Sequence, residues 1–560
     1  MKKPVPSISH PYSETVKGLT EAQVQEKYAE YRTRVKPNPP YPGENFLPAL
    51  IPVESYPFDT EEEQLEALKE SPQLKQFAEY RARAKDLPHN PSYHFYSPDG
   101  KLNDPNGLCF WKGKCHLFYQ VFPNEDARPH WGHMYSEDMV HWKDLPFALY
   151  PDDKEYAPYS GSSLVEEDRV IATYHGRWSG NKIVTASDPL LLNWEKSKAN
   201  PVIPILPDHA TNNGRPYTIF DPFLWKEGSD YFALSGVLYG NHEERGKNHR
   251  NEMVEHLFHS QDLEHWVYMG ELAPGGFPQM PLGNDGACPY FWPLGDKHVL
   301  FIFSHETGPY AFIGDYDKIT HRFTPDRLHK FNFGQVGCSS YQAPCATPDG
   351  NGGVYLVFNT KEADITMERN GAMSVMYHVT LGDDQQLRIK PVDQLASLHG
   401  GLYETNTLHL NAFETQTLPV NGRALDIQMA IKRGSARAVR IEVLKSADGR
   451  EHTDVVLHMP IARRPQIGYL TVDTAFSSLS LNTMSRLPEN TQFPLEEDEL
   501  LNVRILVDKC MVEVFVNDRV VLMQMMCPTL SDSDHISITA MGGDATVESA
   551  QIWQMNSIYE

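Results

Sequence analysis

Lys101-Leu102-Asn103-Asp104-Pro105-Asn106-Gly107, running on into Leu108-Cys109-Phe110-Trp111-Lys112-Gly113-Lys114-Cys115-His116-Leu117-Phe118-Tyr119-Gln120, is the stretch that decides the fold. It reads as a carboxylate at a tight Pro-Asn-Gly bend, then two apolar strands joined by a Lys-Gly turn. The arrangement returns downstream. Asp221-Pro222 precedes an apolar hairpin over 223–234, Cys288-Pro289 precedes one over 290–301, and Ala343-Pro344 precedes a Gly-rich turn and a strand over 354–358. A fifth unit, without the proline, opens at Tyr159-Ser160-Gly161-Ser162. The starts fall at 104, 160, 221, 288 and 344. A period of roughly 60 residues, each holding several short strands, is the pattern of propeller blades.

A second repeat agrees with the first. Ser136-Glu137-Asp138-Met139-Val140-His141-Trp142, Ser187-Asp188 through Asn193-Trp194, and Ser260-Gln261-Asp262-Leu263-Glu264-His265-Trp266 each place a turn before a tryptophan, late in their unit. Residues 91–400 are therefore expected to form a five-bladed β-propeller. Beyond residue 400 the pattern becomes plain alternation, as in Leu425-Asp426-Ile427-Gln428-Met429-Ala430-Ile431 and the pair 502–508 and 512–517. Regular short strands over 401–560 read as a β-sandwich. Residues 1–90 differ. A helix is expected over 20–31 with Thr20 as its cap, a Pro-rich stretch follows over 36–42, and helix returns at Thr60-Glu61-Glu62-Glu63 and over 72–85. The expected architecture is all-β: propeller, then sandwich, with a short α-helical N-terminal extension.

Composition narrows the function. The formal net charge of −24 repels phosphate backbones and argues against nucleic acid as a partner. No run of about 18 apolar residues occurs, so no membrane span is expected. Met1-Lys2-Lys3 is followed by no apolar signal core, and the expected location is cytoplasmic. The seven cysteines lack paired spacing and read as free buried thiols in a reducing compartment. Neither CxxC nor HExxH is present, so no metal site is expected.

The inner strands of a propeller line a central channel, and residues at their starts crowd its mouth. Asp104 and Asp221 occupy equivalent places in two blades, so their carboxylates are expected in one pocket. Carboxylates gathered in a pocket are the kit for glycoside hydrolysis: one attacks the anomeric carbon, another protonates the leaving oxygen, a third holds sugar hydroxyls. The expected partner is a small carbohydrate.

These residues carry a family resemblance. Leu102-Asn103-Asp104-Pro105-Asn106-Gly107 with His116-Leu117-Phe118-Tyr119-Gln120, Trp131-Gly132-His133, Leu145-Pro146-Phe147-Ala148-Leu149, Tyr159-Ser160-Gly161-Ser162, Asp221-Pro222, Gly314-Asp315-Tyr316-Asp317 and Val512-Glu513-Val514-Phe515-Val516-Asn517 resemble motifs of glycoside hydrolase family 32, the invertase, inulinase and levanase family. The resemblance spans roughly residues 91–560. It implies a retaining double displacement on terminal β-fructofuranosyl groups, with Asp104 as nucleophile and Asp221 stabilising the transition state through fructose hydroxyls. Asn103, Gln120, Trp131 and Ser160 would shape the fructose subsite, and no cofactor is implied.

The chain departs from the family pattern at three places. Lys101 stands where the nucleophile motif opens on an aromatic residue. Phe220 replaces the arginine before the second aspartate. Ala287 replaces the acid/base glutamate of a Glu-Cys-Pro motif. General acid catalysis is worth about 10²–10⁴-fold, so the proton must come from elsewhere. Asp285 is the first candidate: on an extended strand it shares a face with position 287, roughly 6.6 Å along. Glu306 is the second, and is counted among the substrate-contacting residues. Alternative readings are a catalytically weak or silent carbohydrate-binding homologue, an enzyme remodelled for another furanoside or for fructosyl transfer, and a protein-interaction scaffold.

Overall fold

The computed structural model describes residues 3–9, 20, 22–23, 26, 29–30, 46–205, 219–236, 253–277, 279–281, 284–334, 340–360, 371–484 and 486–559. Five antiparallel sheets follow one another along the chain over 101–149, 158–204, 222–271, 287–330 and 341–391. We number them blades 1 to 5. Their first strands are Lys101–Trp111, Pro158–Val165, Pro222–Glu227, Ala287–Leu294 and Tyr341–Pro348. Each lies beside the first strands of its two neighbouring blades, and the ring closes from blade 5 onto blade 1. The expected five-bladed propeller is the architecture found.

The turn-then-tryptophan repeat is the bend between the third and fourth strands. In blade 1 Asp138 Oδ1 accepts from the Val140 and His141 backbone N–H groups; in blade 3 Asp262 Oδ1 accepts from Glu264 and His265. Met139 and Leu263 take the same left-handed backbone, at φ 67° and 68°. Local side-chain bonds of this kind specify a turn better than strand periodicity does.

A seven-stranded sheet, including Ala424–Lys432, Leu501–Asp508 and Met511–Val516, faces a six-stranded one that includes Ala438–Lys445 and Ile467–Asp473. Ile427, Ile505, Val514 and Leu522 of one sheet and Ile441, Val455 and Leu470 of the other fill a shared core. Strict alternation of buried and half-buried residues along Ile467–Asp473 is the signature of a one-sided sheet. This is the expected sandwich.

The N-terminal helices cover the propeller's flank. Thr60 caps the helix Glu61–Leu68, its hydroxyl accepting from the Glu63 backbone N–H and donating to the Glu63 carboxylate, and Ser71 with Pro72 opens Pro72–Ala84. The second helix lies on the outer strand of blade 1. Arg81 donates twice to Asp144, at 2.8 and 2.9 Å, and Gln73 takes the Phe147 backbone N–H. The outer edge is thereby paired and shielded. The helix expected over 20–31 falls largely outside the described residues. Among those described, no helix is long and apolar enough to cross a membrane, and the six cysteines are all free and buried.

Candidate functional site

Four of the five first strands break register at the propeller mouth. The shifts lie between Leu102 and Pro105, Pro158 and Gly161, Ala287 and Tyr290, and Tyr341 and Pro344. A bulge re-aims the side chains it contains. Asp104 thus sits inside its strand, within a bulge, rather than before the strand as its spacing suggests. Gly107, at φ +57°, completes the bend; a Cβ there would fall 2.6 Å from the Ser163 hydroxyl. Asn106 fastens the bend from both sides, donating to the Asp104 carbonyl (3.0 Å) and accepting from Gly161 N (3.1 Å).

A relay of side chains aims Asp104. Asn103 Nδ2 donates to Gln120 Oε1 at 3.0 Å, Gln120 Nε2 to the Ser160 hydroxyl at 2.5 Å, and Ser160 to Asp104 Oδ2 at 2.6 Å. Asn103, Gln120, Ser160 and Asp104 therefore meet as one constellation. Trp131 stands behind it, fully buried, its indole N–H on the Tyr159 carbonyl at 2.9 Å.

Asp221 joins from blade 3. Its Oδ2 accepts from the Cys288 backbone N–H (3.1 Å) and lies 3.4 Å from the Cys288 sulfur; the same sulfur is 3.8 Å from Asp104 Oδ2. Cys288 reaches both because its backbone is left-handed, φ 48°. Burial, then the neighbouring Asp104 charge, push the Asp221 carboxyl up to about 7. Burial and the two carboxylates lift the Cys288 thiol well above its ordinary range, so it stays an S–H donor. Asp221 Oδ1 is buried and has no hydrogen-bond partner among the described residues. Arg177, stacked on Trp178 at 3.7 Å, lies within electrostatic reach of Asp221.

Two of the three departures from the family, Phe220 and Ala287, lie in an apolar wall. Phe220, Ala287, Cys288, Phe303 and Ala343 pack together, with Tyr159 against them. Asp285 is bound to His305. Its Oδ1 accepts from the His305 backbone N–H at 2.9 Å and its Oδ2 pairs with His305 Nδ1 at 2.6 Å. The strand begins only at Ala287, so Asp285 lies outside the extended segment on which the shared-face argument relied. Glu306 lies in the turn after the second strand of blade 4, its backbone N–H on the Ser304 hydroxyl.

Sequence reasoning missed two groups. His305 directly precedes the candidate Glu306 but carries no sequence signal of its own. Glu255 immediately precedes the third strand of blade 3, His256–Ser260. It is buried, neither oxygen has a partner among the described residues, and burial with the Asp221 and Asp285 charges lifts its carboxyl well above the usual range.

Two family models match this chain: the glycosyl hydrolases family 32 N-terminal domain over 94–391 and the family 32 C-terminal domain over 394–554. The sucrose-6-phosphate hydrolase of Escherichia coli is 25% identical over 499 residues, covering 83% of this chain and 94% of the relative. That of Salmonella typhimurium is 25% identical over 455 residues, covering 76% and 85%. Among solved structures, fructan 1-exohydrolase IIa from Cichorium intybus superposes with a TM-score of 0.73 at 18% identity, covering 84% of this chain and 98% of that one. Sucrose-6-phosphate hydrolase from Lactobacillus gasseri does so with 0.67 at 22%, covering 87% and 97%. The chain is a glycosidase acting on O-glycosyl bonds and belongs to glycosyl hydrolase family 32.

Proposed function

We propose that this chain hydrolyses β-fructofuranosides by a retaining mechanism, with Asp104 as the nucleophile. The observation that carries the reading is the meeting of Asp104 and Asp221 on the Cys288 thiol, at 3.8 and 3.4 Å, at the mouth of a family 32 propeller. Asp104 Oδ2, aimed by Ser160, attacks the anomeric carbon and forms a fructosyl ester; water then releases it. Asp221, whose Oδ1 has no partner among the described residues and whose carboxyl is pushed up to about 7, holds fructose hydroxyls as charge develops on the ring. Gln120 and Asn103 fix the Ser160 end of the subsite. The substrate is a small fructoside, and sucrose 6-phosphate belongs in the test because the curated relatives carry that name.

The test is fructose release from sucrose, sucrose 6-phosphate, inulin, levan and short fructo-oligosaccharides. Replacing Asp104 with Asn should cut release at least about 10³-fold while leaving the folded state intact. Turnover close to wild type in that variant would sink the reading. A second reading, a silent carbohydrate-binding homologue, draws on Ala287 and its apolar wall. It expects saturable sugar binding with no product from any member of the panel.

A further inference from the structure

We propose that His305, held by Asp285, is the proton donor of this site and stands in for the side chain that Ala287 lacks. The inference rests on the reading of Asp104 as nucleophile. An alkoxide leaves poorly from a glycosidic bond, so a site with Asp104 alone would be slow on natural fructosides. Phe220, Ala287 and Phe303 offer no proton, and the Cys288 thiol is committed to the two carboxylates.

Besides Asp221, Asp285 and Glu306, Glu255 and His305 stand near the gap. Glu255 is closed off: both oxygens are buried, and a methyl group on Gly286 would fall 2.2 Å from Glu255 Oε1, so backbone lies directly against it. His305 is open. Its side chain is 34% exposed, while Asp285 beneath it is 6% exposed. The ring edges the apolar wall, its centroid 6.4 Å from that of Phe220 and 5.1 Å from that of Phe303. Its charge reaches Asp221.

The geometry also assigns the atom. Asp285 Oδ2 lies 2.6 Å from His305 Nδ1, so Nδ1 carries the proton on the carboxylate side and Nε2 is the donor to substrate. Asp285 Oδ1 binds the His305 backbone N–H at 2.9 Å, which fixes the ring at both ends. A carboxylate in hydrogen-bond contact favours the charged imidazolium, the form a general acid needs. Asp285 is a positioning residue. The charged groups facing the pair are Asp221 from blade 3, Glu255 beside Asp285, and Glu306 next in the chain.

The protons balance over two steps. An Asp104 oxygen bonds the anomeric carbon as the bond to the leaving oxygen breaks, and that oxygen takes the Nε2 proton. This leaves a neutral imidazole and a fructosyl ester. Nε2 then takes a proton from water, whose oxygen bonds the anomeric carbon as the Asp104 ester bond breaks.

The experiment compares His305→Ala, Asp285→Asn and Glu255→Gln with wild type on the best natural fructoside of the panel and on 4-nitrophenyl β-fructofuranoside, whose leaving group needs no proton. For His305→Ala, kcat/KM on the natural fructoside should fall about 10²–10³-fold and on the aryl substrate less than about tenfold. The basic limb of the pH profile should vanish, and on the aryl substrate added azide should speed breakdown of the fructosyl ester and give fructosyl azide. Asp285→Asn should shift that limb to lower pH with a smaller loss. Equal losses on both substrates, with no azide rescue and an unmoved pH profile, would make the pair a structural brace and overturn the proposal. So would the same signature arising from Glu255→Gln instead. A wild-type chain that releases no fructose, or releases it without Asp104, overturns the earlier reading and this one with it, before any His305 variant is made.

Discussion

Two places in this molecule bring a pair of carboxylates from distant sequence into buried space, and they resolve the problem in opposite ways. At the junction of propeller and sandwich, His94 is clasped by Asp508 (Nδ1 to Oδ2, 2.9 Å) and Glu513 (Nε2 to Oε1, 3.2 Å), all three side chains at zero exposure. Asp508 also takes the backbone N–H groups of Ser92, Tyr93 and His94, and Glu513 takes that of Val375 in blade 5. Burial alone would depress the imidazole; the bonds to Asp508 and Glu513 outweigh it and lift His94 to about 9. At the propeller mouth, Asp221 has Cys288 for its Oδ2 and nothing described for its Oδ1, and its carboxyl rises to about 7. The first cluster is compensated inside the fold and joins two domains. The second is left incomplete, which is the condition of a site that awaits a ligand.

The largest expected effect lies at the junction. Asp508→Asn strips the charge that faces His94 and weakens three backbone bonds at once. Removing one partner of a buried ion pair costs about 3–5 kcal/mol. Chemical denaturation of this variant should show a loss of that size, while fructose release per folded molecule stays at wild type. A stability within about 1 kcal/mol of wild type would mean that the clasp contributes little and that the contrast with the mouth is false.

The next effect separates the clusters by pH. Both His94 and Asp221 have folded values above their ordinary ones, so each favours the folded state at low pH and loses that contribution as pH rises. For Asp221 the window runs from about 4, the ordinary carboxylate value, up to about 7. For His94 it runs from about 6.5 up to about 9. The stability of Asp221→Asn relative to wild type should therefore climb between pH 4 and 7 and level off above. His94→Gln should differ from wild type most below pH 6.5 and converge toward it by pH 9. Denaturation midpoints taken at unit intervals of pH decide this. A flat difference for Asp221→Asn would mark it as an ordinary, solvated carboxylate.

How much of this could be read from sequence follows from distance along the chain. The blades were legible because each inner strand opens on a local turn signal, and the Asp138 and Asp262 bends repeat one local bonding pattern. The relay from Asn103 to Asp104 joins residues from two blades, and only the family resemblance assembled it. The junction was invisible: His94 and Asp508 lie 414 residues apart with no motif between them. Asp285 and His305 fall between these cases. Strand alternation set Asp285 beside position 287 and gave it no partner across the hairpin, because the strand begins only at Ala287. Hairpin register would have given the right one. Ala287 pairs with Phe303, and stepping two residues outward on both strands sets Asp285 opposite His305.

The smallest expected effect tests how far the mouth can be tuned. Every donor to Asp508 at the junction, apart from the His94 ring, is a backbone N–H that a point mutation cannot remove. Asp104 is instead aimed by a side chain, the Ser160 hydroxyl at 2.6 Å. A hydrogen bond to a charged group is worth about 1.5–3 kcal/mol when its partner is deleted. Ser160→Ala should lower kcat/KM by roughly tenfold and barely move the denaturation midpoint. It should also move the acidic limb of the pH profile to higher pH, because losing a donor to the ionised carboxylate raises its proton affinity. A tenfold loss with an unmoved acidic limb would mean that Ser160 serves the sugar rather than the nucleophile. Asp104 would then be held, like Asp508, by groups that no single side-chain deletion removes.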